Sequence, residues 1–441
     1  MLGPLDATCI VIGAVVGVGI FFTPSRVAQL AGSGGLVLLA WAIGGGIALL
    51  GALTYAEIGG MYPRSGAQYE ALRDAYGPFP AFLFVFCNST AIQAGSTAII
   101  ALICTENLGV ALAGCVPRAP LLTLISAILI IGLVTANVLG VRWGAGVQNL
   151  TVFAKVATLL LVTGLAAMAR PDDQPAAADS PMSTAWSWGL VGTICAALVP
   201  MLFSFGGWQH ALWITGEIRQ PQRNVPLAIV GGMLVVVIVY LLVNWAYLRL
   251  LGYAGVAASQ ALGADAVAVV WPGVGRRVIA AAIAFSALGV LNAQLLSGPR
   301  LVFGMAADRR FFGIFARVSG RFGTPVAAIL LIGGMALILL FVAGRNAVDR
   351  LLNGVVSVDS IFFVLTAFAV VILRWRRPSA SRTVRVPGYP VVPLLFALGE
   401  IGIVIGSYWD PAVRAAAVVG VCWIAAAAAC YLLLFRLAAR A

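Results

Sequence analysis

Apolar runs of roughly 20 residues recur from one end of the chain to the other, separated by short polar stretches in which nearly every basic residue is arginine. About 20 apolar residues at 1.5 Å per residue cross the ~30 Å hydrocarbon layer of a bilayer, so each run predicts a membrane-spanning helix. Barrel strands would alternate apolar and polar positions over about ten residues, and these runs do not. The pattern predicts an all-α polytopic bundle of twelve spans, at about 7–30, 36–58, 81–108, 120–140, 144–168, 190–218, 226–250, 276–304, 325–343, 350–373, 391–409 and 412–435. The longest polar stretch, from Arg170 to Trp188, is too short for a soluble domain, so a single membrane domain is expected.

Two of the spans are interrupted. The first contains "GAVVGVGIFFTP", with Gly13, Gly17, Gly19 and Pro24. The sixth contains "VPMLFSFGGWQHALWITGEI", with Pro200, Gly206 and Gly207. Glycine lowers the cost of leaving helical geometry. In lipid, a broken helix must turn its freed N–H and C=O groups toward protein, water or a ligand. Close helix packing is the plainer explanation for a glycine-rich membrane helix. Two interruptions at corresponding places in two halves are different, because they mark a central binding site between inverted repeats. The expected division is 1–170 for spans one to five, 186–375 for spans six to ten, and 391–436 for two further helices.

The 441 residues are 62% hydrophobic and 10% charged, with a net charge of +12. In a soluble chain that charge would suggest nucleic acid, but here the arginines sit in the loops and no basic patch is interleaved with aromatics. The loops leading from even to odd spans hold the larger share of them, including Arg309, Arg310, Arg317 and Arg321, then Arg374, Arg376, Arg377 and Arg382. By the positive-inside bias both termini are expected in the cytoplasm of a cell (inner) membrane. No basic stretch precedes the first apolar run, so no cleaved leader is expected. The cysteines lie in or beside apolar runs without paired spacing, which argues against a disulfide framework or a metal site. A lone histidine, His210, cannot form a metal cage. No nucleophile–base motif suggests an enzyme, and no filter motif or charged ring suggests a channel. A membrane sensor that binds without transport is the competing class, although no signalling domain accompanies the spans.

Lys155 is the single lysine, and it falls near the centre of the fifth span. At a helix centre a lysine costs about 2.5–3.5 kcal/mol on the insertion scale, and snorkelling to the surface is open only to residues near a helix end. Such a residue faces the bundle interior and carries function. Asp359 in span ten and Glu400 in span eleven are also buried by position. Glu217, with Arg219 and Arg223 nearby, is a candidate for an ion-pair network at one end of the bundle. Asn292 and Gln294 in span eight lie within reach of Lys155 or of the interrupted segments.

Several stretches in order resemble the amino acid–polyamine–organocation transporter superfamily, most closely its L-type amino acid transporter branch and bacterial relatives. They are "GAVVGVGIFFTP", "LTYAEIGGMYPRSGAQYEALRDAYGPFPAFL", "FSFGGWQHALWITGEIRQPQRNVPLAI", "SGPRLVFGMAADRRFFGIFARVSGRFGTP" and "RVPGYPVVPLL". The resemblance implies a 5+5 inverted repeat and an amino acid held at mid-membrane between helices one and six. Its carboxylate would meet the N–H groups near Gly17, Val18, Gly19 and Ile20, at a half-helix N-terminus. Its ammonium would meet carbonyls near Phe203, Ser204, Phe205 and Gly206. Phe203 resembles the family's occluding gate. Lys155 matches a lysine whose ammonium stands where sodium-coupled relatives hold the ion, which implies sodium independence. Asn292 and Asp359 are possible supporting residues. Val18 departs from the family, which carries Ser or Thr there, so a hydroxyl contact is absent. Neither interrupted segment holds an acid, so neutral L-amino acids are expected, with cationic amino acids or polyamines as the alternative. Exchange and proton-linked uptake both remain open. The resemblance implies no cofactor, and an arginine-rich chain of this length reads as bacterial, without an obligatory partner subunit.

Overall fold

The computed structural model describes residues 1–139, 141–168, 197–198, 200–273, 275–343, 347–409 and 411–437. Among them the chain is all helical, and one isolated bridge between Leu2 and Ile218 is its only β-type pairing. The expected boundary between the repeats, the stretch from Arg170 to Trp188, and Cys195 lie outside the described residues.

The first interrupted run forms α1 (Pro4–Val15), a 3₁₀ turn (Gly19–Phe21) and α2 (Thr23–Ala31). Then come α3 (Gly34–Met61), a short α4 (Ala67–Tyr76), α5 (Pro78–Cys87) and α6 (Gln93–Ala113), the last two joined by a π turn into one rod. Next are α7 (Ala119–Leu139) and α8 (Val141–Met168). The second interrupted run contributes α9 (200–205) and α10 (His210–Trp213). The remainder is α11 (Pro221–Ala258), α12 (Leu262–Val270), α13 (Gly275–Ala307), α14 (Val326–Ala343), α15 (Ala347–Arg376), α16 (Val391–Trp409) and α17 (Pro411–Tyr431).

Nine helices among the described residues are long and apolar enough to cross a membrane, and α1 and α14 are shorter apolar helices. The elements begin and end where local chemistry dictates. Ser33 accepts the N–H of Leu36 at the start of α3, satisfying one of the donors a helix leaves unpaired. α11 kinks at Gly252, whose positive φ of 66° breaks the helical path.

α1 packs against α8, α11 and α13, while α3 lies along α11 and α6 along α13. The apolar window of α13 is 67% buried and that of α17 only 11%, so α13 is a core helix and α17 a peripheral one. The apolar side chains α17 leaves exposed, such as Val418, Val419 and Val421, suit hydrocarbon rather than water.

One end of the bundle is tied by polar contacts. Leu2 exchanges backbone bonds with Glu217 and Arg219, and Arg300 of α13 donates to Glu217 at 2.8 Å. Glu57 of α3 is wholly buried and accepts from Arg374, Arg382 and the Val386 N–H. Tyr69 and Arg73 of α4 both donate to Asp308 at 2.8 Å. Arg377 reaches Asp74 at 2.6 Å. Phe435 packs on Phe82 at the same end, so the N-terminus and the last helix share this face.

Candidate functional site

The two interrupted runs meet at the centre. α1 ends at Val15, and its last carbonyls are each met differently. Val16 N–H bonds to Ile12 and Gly17 N–H to Val15. The Lys155 ammonium donates to the Gly13 carbonyl at 3.0 Å. The Tyr240 hydroxyl of α11 lies 3.0 Å from the Val15 carbonyl and 3.2 Å from that of Ser204 at the end of α9. A single phenol therefore bridges the C-terminal ends of both half-helices, where the dipole is negative and donors are favoured.

Beyond the first break, Phe21 and Phe22 N–H groups bond back to Val18 and Gly19. The N–H groups of Val18, Gly19 and Ile20 precede these first bonds, as the opening donors of a helix do. Gly19 lies so close to Ser204 that a Cβ would come within 2.7 Å of its hydroxyl. The Thr23 and Ser204 hydroxyls are 2.7 Å apart, so α2 and α9 are stitched together beside the break. Gly207 sits at φ +128°, and a Cβ there would lie 2.8 Å from the backbone of Ala14. No other residue allows the two breaks to approach this closely.

A hollow with a cavity volume of about 100 Å³ lies between the breaks. Gly17, Val18, Gly19, Phe203, Ser204 and Gly206 line it. Ile20 and Phe205 do not, and both are fully buried. Phe205 turns outward instead, its ring 5.6 Å from Trp41 and 5.2 Å from Tyr240. Asp359 lines the hollow, and so do Gln93, Gln294 and Glu400. Asn292 does not, since it accepts from Asn137 of α7 at 3.2 Å. Gln294 accepts from Thr97 at 3.1 Å.

His210 also borders the hollow. Its Nδ1 is 2.5 Å from the Ser297 hydroxyl, which itself donates to the Ala293 carbonyl. The hydroxyl hydrogen is thereby committed, so Nδ1–H is the donor to Ser297. Among the described residues no cluster of three acids, cysteines or histidines forms a metal centre.

Lys155 is 2% exposed and runs from α8 past Gly289 of α13 to α1. A Cβ on Gly289 would stand 3.1 Å from its Cε. Two helical turns earlier on α8, Gln148 presses on Gly13, and Val152, one turn before Lys155, lies beside it. Both ends of the Gln148 amide are buried without a hydrogen-bond partner.

Four rings close the hollow on the side facing the ion-paired end. Trp208 stacks on Phe363 at 5.2 Å, and Tyr55 and Phe396 complete the set. Along α15 the order is Asp359, Phe363, Thr366, Arg374, so at 1.5 Å per residue these rings lie between the hollow and that end. The Trp213 indole and the Tyr55 hydroxyl meet on the Gln68 amide just beyond.

Sequence reasoning did not find Tyr240, Gln93 or Gln148. Each is a common residue in an apolar run, and nothing in its spacing separates it from packing. Glu217 pairs with Arg300 rather than the nearer-in-sequence Arg219 or Arg223. Glu400 did carry a signal, a lone acid in an apolar span, but its helix lies outside the expected repeats.

The model of one family, described as amino acid permease, matches residues 2–436. Among curated proteins, the chain is 32% identical over 408 residues to b(0,+)-type amino acid transporter 1 of Mus musculus, covering 90% of this chain and 81% of that protein. It is 30% identical over 416 residues to the serine/threonine exchanger SteT of Bacillus subtilis, covering 92% and 90%. It is 28% identical over 403 residues to Asc-type amino acid transporter 1 of Mus musculus, covering 90% and 74%.

Proposed function

The chain belongs to the amino acid permease family, a family of multi-pass membrane transporters rather than of enzymes, and on that premise we propose that it carries neutral L-amino acids by alternating access without sodium. The coupling is exchange or a linked proton. The observation that carries this reading is the contact of two broken helices, Gly207 against Ala14, beside a hollow that both breaks line.

In this reading an α-amino acid is held by backbone groups. Its carboxylate takes the N–H groups at Val18, Gly19 and Ile20, and its ammonium takes carbonyls at the end of α9. Tyr240 occupies one lone pair of the Ser204 carbonyl and leaves the second for the substrate. Apolar groups at Ile100, Val290 and Val355 receive the side chain. Phe203 covers the bound molecule. Lys155 supplies a fixed cation at the α1 carbonyl end, where a transported cation would otherwise be needed.

The reading also takes the chain as two inverted five-helix repeats followed by two helices, in a cell (inner) membrane with both termini cytoplasmic and no obligatory partner subunit. The ion-paired end is then the inner gate. Glu217–Arg300, Arg73–Asp308 and the Glu57 cluster must rearrange before the four-ring layer can part.

Counterflow into proteoliposomes tests this. Vesicles loaded with unlabelled alanine, serine and leucine are expected to accumulate the labelled forms in sodium-free buffer, at a rate unchanged by added sodium. Lys155→Ala is expected to lower that rate at least tenfold while the purified variant remains monodisperse. A strict sodium requirement in the unmodified protein would overturn the role given to Lys155.

A further inference from the structure

Between α13 and α14 the chain reads "DRRFFGIFARVSGRF", from Asp308 to Phe322. Arg309, Arg310, Arg317 and Arg321 are all exposed. Among the described residues none of these four forms an ion pair. Asp308 is the one acid of the stretch, and Tyr69 and Arg73 already engage it. The same stretch exposes Phe312, Ile314 and Val318. Phe311 anchors it, with its ring 5.9 Å from Phe82 and 6.4 Å from Phe435. Phe312 lies 5.7 Å from Phe435, and Leu432, Leu433 and Leu434 just before that ring are exposed too. Since α17 is the peripheral helix, this rim is a flank of the bundle that meets hydrocarbon.

A second observation fixes its depth. Arg73 bonds to Asp308, and the adjacent Asp74 bonds to Arg377, so the ends of α13 and α15 lie at one level. At that level Trp375 is 82% exposed. An exposed tryptophan at a span end sits in the headgroup layer, with its ring in the apolar margin and its N–H among polar groups. The arginines and the exposed apolar side chains of the α13–α14 segment therefore stand where lipid phosphates meet the upper acyl chains.

A guanidinium matches a phosphate with two parallel N–H donors. Exposed aromatic and branched side chains match the glycerol and acyl region. An inorganic anion would satisfy the arginines and leave the apolar side chains in water. A zwitterionic lipid brings a cation for which the stretch has no free carboxylate. We infer that this segment is a binding site for an anionic phospholipid, its phosphate region held by Arg309, Arg310, Arg317 and Arg321 and its acyl chains laid along Phe312, Ile314 and the leucines at the end of α17. The site is separate from the central hollow and needs the membrane but not the transport reading.

Purified protein in a non-ionic detergent is titrated with dioleoyl phosphatidylglycerol or dioleoyl phosphatidylcholine, and retained lipid is counted by native mass spectrometry. The unmodified protein is expected to retain the glycerol lipid at a concentration at least about tenfold below the choline lipid. Arg309→Gln with Arg310→Gln, and Arg317→Gln with Arg321→Gln, are each expected to raise that concentration about tenfold. Arg276→Gln with Arg277→Gln removes the same charge from exposed positions at the opposite end of α13, and is expected to leave it within about threefold. Equal retention of the two lipids by the unmodified protein would overturn the site, and that comparison needs no variant. A loss as large in the control pair would overturn it as well, by showing attraction to net charge alone. Inorganic phosphate that raises the unfolding temperature as far as phosphatidylglycerol does would overturn the lipid assignment in favour of a free anion.

Discussion

Gly207 shows how much can depend on one missing methyl group. Its φ of +128° and the 2.8 Å at which an added Cβ would meet the Ala14 backbone exclude any side chain on two independent grounds, torsional and steric. Gly207→Ala is expected to destabilise the protein by about 1–3 kcal/mol, the usual cost of a strained backbone site, and to reduce counterflow to background. The unfolding temperature in detergent and the uptake rate check the two parts separately. Lys155 was legible as an outlier from the sequence because a charge at a helix centre has no cheap explanation. Its acceptor was not, since the Gly13 carbonyl becomes available only because α1 stops two residues later. The acids were half legible. Asp359 and Glu400 stood out as charges in apolar runs, but which of them bordered a hollow depended on the rotation of two separate helices.

At the scale of elements, the broken helices are held by side chains from their neighbours. Tyr240 of α11 joins the ends of α1 and α9, and the Thr23–Ser204 pair joins α2 to α9. Tyr240→Phe keeps the ring that packs on Trp41 and Phe205 and removes only the donor. It is expected to cost about 1–3 kcal/mol, the penalty of buried carbonyls left short of a partner, and to weaken substrate binding more than it lowers the melting temperature. Competition binding beside a melting curve measures that split. The breaks themselves were readable from glycine spacing. The identity of Tyr240 was not, because helical phase tells which face a residue occupies but not which neighbour that face meets.

Among the described residues, ion pairs such as Glu217–Arg300, Arg73–Asp308 and Glu57–Arg374 gather at one end of the bundle. Asp308 illustrates the consequence for pH. Burial opposes its ionisation, but the Arg73 and Tyr69 donors outweigh that and hold the carboxyl below its ordinary value of 3.8. A depressed folded-state value means the tie contributes stability above the unfolded pKa and loses it as pH falls through the lower, folded one. The difference in melting temperature between the unmodified protein and Asp308→Asn is therefore expected to be constant above about pH 5 and to shrink only below pH ~4. About a third of the Asp308 side chain is exposed at this end (34%), so the difference should be small and reduced by salt. A difference that grows on acidification would contradict the assignment.

The sequence by itself determined that this is an all-helical, multi-pass membrane protein with two interrupted helices and one buried lysine. Each of those follows from local chemistry, namely apolar run length, the conformational freedom of glycine, and the cost of a charge in hydrocarbon. What only the tertiary structure decided is which groups face one another across helices. Glu217 meets Arg300 and not its sequence neighbours, Asn292 turns to Asn137 and not to Lys155, and Phe205 packs outward while Phe203 borders the hollow. The physical reason is that a break resets the rotational phase of a helix. Beyond it, the 100° step per residue no longer predicts a direction, and only packing against the other helices restores one.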